Sequence, residues 1–100
     1  MHFSGSVEDF KSSGNKFTAE KFDGIAWVEF EKIKNKPSAI KIKSICGKGD
    51  IRINIQLGNR TDSMTTGDGT IDISDCADGK YIITATAKNA EKILIKYEFI

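Results

Sequence analysis

The sequence predicts an all-β fold: an antiparallel β-sandwich of Greek-key or jelly-roll type with six to eight strands. Apolar and polar residues alternate with period two in several short runs, and Gly, Pro, Asn and Asp separate these runs. No segment shows the period of an amphipathic helix convincingly, so the crossover helices that parallel strands need are missing. One-faced antiparallel sheets bury their apolar faces by stacking or by closing into a small barrel, and we favour the stacked sandwich.

The length and composition indicate one domain. The chain has 100 residues, of which 39% are hydrophobic, and this suits a single core. Residues 1–15 hold few apolar side chains among Ser, Gly and Asn, so we expect a flexible lead-in or an edge strand there. Residues 16–100 are expected to form the sandwich domain.

Two strand-like runs begin the domain, and Asp23-Gly24 predicts a turn between them. The first run places Phe17 and Ala19 among alternating polar residues. The second run, residues 25–34, is ambiguous between helix and strand, but its β-branched and aromatic first half favours a strand. It ends near Pro37, because proline donates no ladder hydrogen bond.

The clearest alternation lies on either side of Gly47-Lys48-Gly49. Ile40 and Ile42 alternate with lysines before this segment, and residues 51–57 alternate isoleucine or leucine with polar residues after it. The pattern predicts a hairpin with one buried face and one wet face.

The rest of the chain predicts an exposed loop and three further strands. Residues 58–69 contain one apolar side chain, Met64, and have the composition of a loop. Alternation resumes in residues 70–74, 80–87 and 91–100, with turns expected at 75–79 and 88–90. The predicted shared core is Ile40, Ile42, Ile51, Ile53, Ile55, Ile71, Ile73, Ile83, Ile93, Ile95 and Phe99.

Charge and histidine content exclude several classes of function. Fifteen basic and fourteen acidic residues leave a net charge of +1, which argues against a nucleic-acid partner held by bulk electrostatics. The single histidine, His2, removes most hydrolase and metal-site designs, so we expect no enzyme activity, no cofactor and no metal. No run reaches the roughly 18 apolar residues of a membrane span, and the first residues lack the pattern of an export signal.

The two cysteines leave two alternatives open. Cys46 and Cys76 can form a disulfide that closes a long loop, or remain two buried thiols. A disulfide of this span would contribute about 3–4 kcal/mol to stability. The pair does not support a zinc site, because neither a second thiol pair nor an interior imidazole accompanies it.

Trp27, Lys41, Lys43 and Arg52 are the candidate ligand-binding residues. Trp27 can stack on a sugar ring, although burial in the core is the simpler role for a strand tryptophan. Lys41, Lys43 and Arg52 are expected on the wet face of the hairpin, where they suit an anionic ligand. Alternating lysines also serve solubility and discourage edge pairing, so that alternative stays open.

Four aspartates lie close together in the second half of the chain. Carboxylate oxygens are calcium ligands, but the spacing of Asp68, Asp72, Asp75 and Asp78 is not that of an EF-hand. Aspartate side chains also bond backbone amides in turns, and we favour this role over a metal site.

The order of these elements is similar to small β-sandwich domains of secreted bacterial lipoproteins and cell-surface proteins, and more loosely to accessory carbohydrate-binding modules. The resemblance rests on Phe22-Asp23-Gly24, the lysine-rich strand, Asp78-Gly79-Lys80-Tyr81 and the final Tyr97-Glu98-Phe99, and spans residues 17–100. It implies a non-enzymatic binding domain outside the cell or in the cell envelope, with a glycan or an anionic wall polymer as ligand. A structural, self-assembling module is the alternative. The oligomeric state stays open.

Overall fold

A computed structural model describes residues 2–57, 60–64 and 66–100, and these residues form an all-β structure without a helix. All strand pairs are antiparallel, as predicted. Within the described chain, no helix has the length and apolar character of a membrane span. The seven strands are β1 (His2–Glu8), β2 (Lys11–Ser13), β3 (Lys16–Lys32), β4 (Ala39–Leu57), β5 (Arg60–Met64), β6 (Gly67–Asp72) and β7 (Gly79–Phe99).

The seven strands belong to one sheet built around three long strands. The order is β1-β3-β7-β4-β5, with β2 beside β1 on the edge of β3 and β6 beside β5 on the edge of β4. Residues 2–8 and 11–13 therefore form an edge of the sheet. The sandwich with Greek-key or jelly-roll connections is not confirmed, because the described strands form a single continuous sheet.

Three segments that predict turns are instead bends inside long strands. Asp23-Gly24 lies within β3, the segment 47–49 within β4, and the segment 88–90 within β7. The predicted hairpin at 47–49 is therefore wrong, because both of its runs pair with the same strand, β7. Glycine and asparagine allow the backbone of a turn, and they equally allow a bulge in a continuous strand.

The bends line up across the sheet. The register of β3 on β7 shifts beside Gly24, which pairs with Ala87, and the register of β4 on β7 shifts beside Asp50, which pairs with Lys88. We call this line the crease. It divides the sheet into the Trp27 half (residues 24–32 of β3, 50–57 of β4 and 79–87 of β7) and the Lys43 half (residues 16–22 of β3, 39–48 of β4 and 90–99 of β7).

Glycines permit close backbone approach along the crease. Gly49 has a φ of +86°, and a Cβ there would lie 2.8 Å from Ala90 Cα and still closer to the Asn89 carbonyl. Gly5 and Gly24 face each other on β1 and β3, and a Cβ on either would overlap the opposite backbone. A side chain at these positions would push the strands apart.

The predicted exposed loop over 58–69 is also wrong in its main part. Residues 60–64 form β5 and residues 67–72 form β6, while residues 58, 59 and 65 lie outside the described chain. Both strands pair with β4 at the edge of the sheet. Pairing with β4 satisfies backbone hydrogen bonds of β5 and β6. An edge strand does not need an apolar face for this pairing, so it tolerates polar residues.

The core takes side chains from both sides of the crease, and the predicted core is confirmed. Nine of the eleven predicted residues are buried, while Ile71 and Phe99 are half-buried and pack against the others. Phe17 and Phe22 add large buried rings from β3. The rings of Phe30, in the Trp27 half, and Phe99, in the Lys43 half, lie 5.0 Å apart. Phe30 pairs with Tyr81 near the start of β7, whereas Phe99 is the last residue of β7, so the contact brings the far ends of the two halves together.

Lys32 is a buried lysine: the period of two places it on the face of Ala26 and Phe30, although a charged side chain favours solvent. Its side chain is 1% exposed, and Nζ donates hydrogen bonds to the carbonyl oxygens of Ile73 and, at 2.5 Å, Cys76. These bonds compensate for removing an ammonium group from water. They also attach the end of β3 to the segment that follows β6.

Candidate functional site

The structure divides the four candidate binding residues into two pairs. Lys41 and Lys43 are exposed on the Lys43 half, whereas Arg52 is exposed on the Trp27 half. Trp27 is half-buried and alternates with the inward-facing Ala26, so it lies on the outer face of the Trp27 half with Arg52. The crease separates the two pairs, because residues 43 and 52 lie on opposite sides of the bulge in β4.

Three exposed lysines lie directly opposite one another across three strands of the Lys43 half. Lys96 on β7 is the register partner of Lys16 on β3 and of Lys43 on β4. We call Lys16, Lys96 and Lys43 the lysine row. Opposite residues on neighbouring antiparallel strands have Cβ atoms about 4.5–5.5 Å apart, so the row concentrates positive charge on one face.

Two carboxylates flank the lysine row and offset only part of its positive charge. Asp68 on β6 is opposite Lys43, and Glu98 on β7 is opposite Lys41. Within the described chain, the ion pairs are Lys21–Glu8 and Lys48–Glu91, and both lie outside this surface. A groove of about 370 Å³ runs here, lined by Lys41, Lys43, Asp68, Thr70, Lys96 and Glu98 among others.

The row next to the lysines is partly apolar. Leu94 on β7 pairs with Thr18 on β3 and with Ile45 on β4, and Ile45 is 47% exposed. An exposed isoleucine beside a row of ammonium groups offers carbon contacts as well as charge. The exposed part of Ile45 therefore adds a carbon contact next to the charged row.

Lys16 and Lys96 were absent from the predicted site. Alternation places both on the wet side of their strands, since Phe17, Ile95 and Tyr97 are buried beside them. Their meeting with Lys43 depends on the pairing of β3 and β4 with β7. That long-range register has no local signal in the sequence.

The two cysteines and the turn aspartates are the other candidate groups in the sequence. Cys46 and Cys76 are both half-buried and are not joined by a disulfide, and Cys46 Sγ lies 3.0 Å from the Lys48 carbonyl oxygen. Asp72 Oδ1 accepts a hydrogen bond from the Ser74 amide at 2.9 Å, as expected for a turn aspartate.

Asp78 joins two distant turns. Its carboxylate oxygens accept hydrogen bonds from the backbone amides of Lys34, at 2.9 Å, and Asn35, at 3.2 Å. Both of these residues have a positive φ, which turns two successive amides toward one anion.

Among the residues that the structure describes, no group of three or more His, Cys, Asp or Glu side chains could hold a metal ion.

Burial raises the pKa of the Tyr97 phenol above its ordinary value of 10.0, because the charged phenolate would be poorly solvated there. Tyr97 is 7% exposed, so its ring belongs to the core behind the groove.

No family model, curated protein or solved structure matches this chain.

Proposed function

We propose that this protein is a non-enzymatic binding module of the bacterial cell envelope, and that the lysine row binds an anionic polymer. One observation carries the proposal: Lys96 is flanked on both sides by a directly opposite lysine. Like charges directly opposite each other destabilise a sheet. A phosphate-bearing polymer lying across the strands would relieve this repulsion.

The shape of the surface supports a polymer rather than a small enclosed ligand. The lysine row crosses three neighbouring strands, and strands lie about 4.8 Å apart. The groove is lined by two of the three lysines, Lys43 and Lys96, and Ile45 adds an exposed apolar contact beside the row. Successive anionic groups of one chain can therefore meet successive lysines.

The proposal includes a finer description of the fold, in which the two halves stack as the layers of a sandwich. The contact of Phe30 with Phe99 and the bonds from Lys32 to the segment after β6 support this arrangement. The outer faces of the two layers would then be separate surfaces.

A binding assay with poly(glycerol phosphate) tests the proposal. Affinity should fall between about 0.1 M and about 1 M salt, because the screening length shortens from about 10 Å to about 3 Å. The variant Lys43→Gln/Lys96→Gln should lose binding, and Asp68→Asn should strengthen it by removing a nearby negative charge. Lys80→Gln, an exposed lysine of the Trp27 half, is the matched control and should bind normally.

The proposal would be wrong if the protein did not bind this polymer, or if the double variant and the control bound it equally well. Salt-independent binding would contradict it too. Folding of each variant is checked by circular dichroism, because all of the substituted residues are exposed and should leave the sheet intact.

A self-assembling structural module is the second candidate function. The sheet is open rather than closed, and β1 lies at one edge and β5 with β6 at the other. Open edges present unpaired backbone groups that can pair with another chain. Phe3 on β1 is 39% exposed, which adds an apolar contact at that edge. Sedimentation that shows association at micromolar concentration, abolished by Ser6→Pro in β1, would favour this function.

A further inference from the structure

The outer face of the Trp27 half differs in chemistry from the lysine row. One row of directly paired residues crosses five strands there. Its members are His2 on β1, Trp27 on β3, Thr84 on β7, Asn54 on β4 and Ser63 on β5. The row contains an indole ring, an imidazole ring, an amide and two hydroxyl groups, and it contains no carboxylate, lysine or arginine. Four strand spacings give it a length of about 19 Å.

The orientation of the Trp27 ring is held from one side. The His2 ring stacks on it with centroids 5.7 Å apart and an angle of 28° between the planes. Trp27 is half-buried, so part of the indole ring is available at the surface. A ring that is already oriented loses little freedom when a ligand stacks on it.

The neighbouring rows are mixed in character: each has hydroxyl or amide groups, but one also contains Ile25 and Arg52, and the other also contains Glu29 and Ile82. Thr86 pairs with Ile25 and with Arg52 on one side of the row. On the other side Gln56 lies near Thr61, whose hydroxyl donates to Gln56 Oε1 at 2.9 Å. A groove of about 600 Å³ beside the row is lined by Arg52, Asn54, Thr66, Thr86 and Lys88 among others.

We propose that this face is a second binding site and that its ligand is a neutral polysaccharide. A sugar ring has an apolar C–H face that stacks on an aromatic ring, and hydroxyl groups at its edge that bond amides and hydroxyls. The central row has both kinds of partner and no fixed charge that would favour an anion. Its length accommodates several sugar units of an extended chain.

The site is independent of the lysine row. The crease lies between the two surfaces, and the row through Trp27 shares no residue with the lysine row. The protein would therefore hold a neutral glycan with one half and an anionic polymer with the other. Each site can fail in experiment without the failure of the other.

Trp27 is the single tryptophan of the chain, so its fluorescence reports directly on this site. The probes are soluble oligosaccharides of glucose, N-acetylglucosamine and xylose, titrated into the wild-type protein. We expect the emission to change on binding of at least one of them, with an affinity that is the same at low and high salt. Lys43→Gln/Lys96→Gln should give the same titration curve.

Calorimetry measures the variants that lack the fluorophore. Trp27→Ala should weaken binding of the responding sugar about tenfold, the effect of about 1.4 kcal/mol of ring stacking. Trp27→Tyr keeps an aromatic ring and should restore most of the affinity. His2→Ala should weaken binding less than Trp27→Ala, because it loosens the ring without removing it. Circular dichroism confirms that each variant is folded.

Three results would overturn the proposal. The first is no response to any of the sugars. The second is equal sugar binding by Trp27→Ala and the wild type. The third is a change of Trp27 emission with protein concentration alone, which would assign this face to a second copy of the chain.

Discussion

The substitution Lys96→Glu should stabilise the protein and abolish binding of the anionic polymer. Lys96 is opposite Lys16 on one side and Lys43 on the other, so the variant turns two like-charge pairs into two opposite-charge pairs. Exposed cross-strand charge pairs contribute about 0.2–1 kcal/mol each. Glu98 lies two residues along the same face and offsets part of the gain. We expect the free energy of unfolding to rise by about 0.5–1.5 kcal/mol at low salt.

Urea denaturation followed by circular dichroism measures this change. The slope of the unfolding free energy against urea concentration should be the same for the variant and the wild type. At about 1 M salt the gain should shrink, because exposed charges are then screened. Lys80→Glu is a matched control with the opposite sign: Lys80 is opposite Glu31, so this variant creates a like-charge pair and should be less stable. Destabilisation by Lys96→Glu at low salt would refute the register of the lysine row.

Three further predictions concern the fold. Ile53→Ala should lower the free energy of unfolding by about 2–5 kcal/mol, because Ile53 is 1% exposed and its truncation leaves a cavity; a loss under about 0.5 kcal/mol would contradict its burial. Gly49→Ala should be clearly less stable than Gly14→Ala in the same urea assay: both glycines have a positive φ, but only at Gly49 would a Cβ meet backbone atoms. The free energy of unfolding should fall above pH 10. The Tyr97 pKa is raised in the folded protein, so the unfolded chain releases this proton at a lower pH than the folded protein does. The pH profile of Tyr97→Phe should lack this contribution, and identical profiles of the two proteins would contradict it.

Only part of the solvent-exposed surface could be predicted from the sequence. Alternation correctly places Lys41, Lys43 and Arg52 outside the core, since each follows a buried isoleucine. It could not show that Lys41 and Lys43 lie across the crease from Arg52. The reason is that Gly49 suits both a turn and a bulge, and only the pairing of β4 with β7 distinguishes them.

The sequence by itself determined the all-β class, the alternating core from Ile40 to Phe99 and the polar outer faces, because side-chain direction in a strand follows a local period of two. Tertiary structure alone decided which strands are neighbours. It joined the runs beside the crease into three long strands, made paired edge strands of polar segments, and set Lys16 and Lys43 on either side of Lys96. Strand pairing joins residues that are distant in the chain, and local composition carries no information about that register.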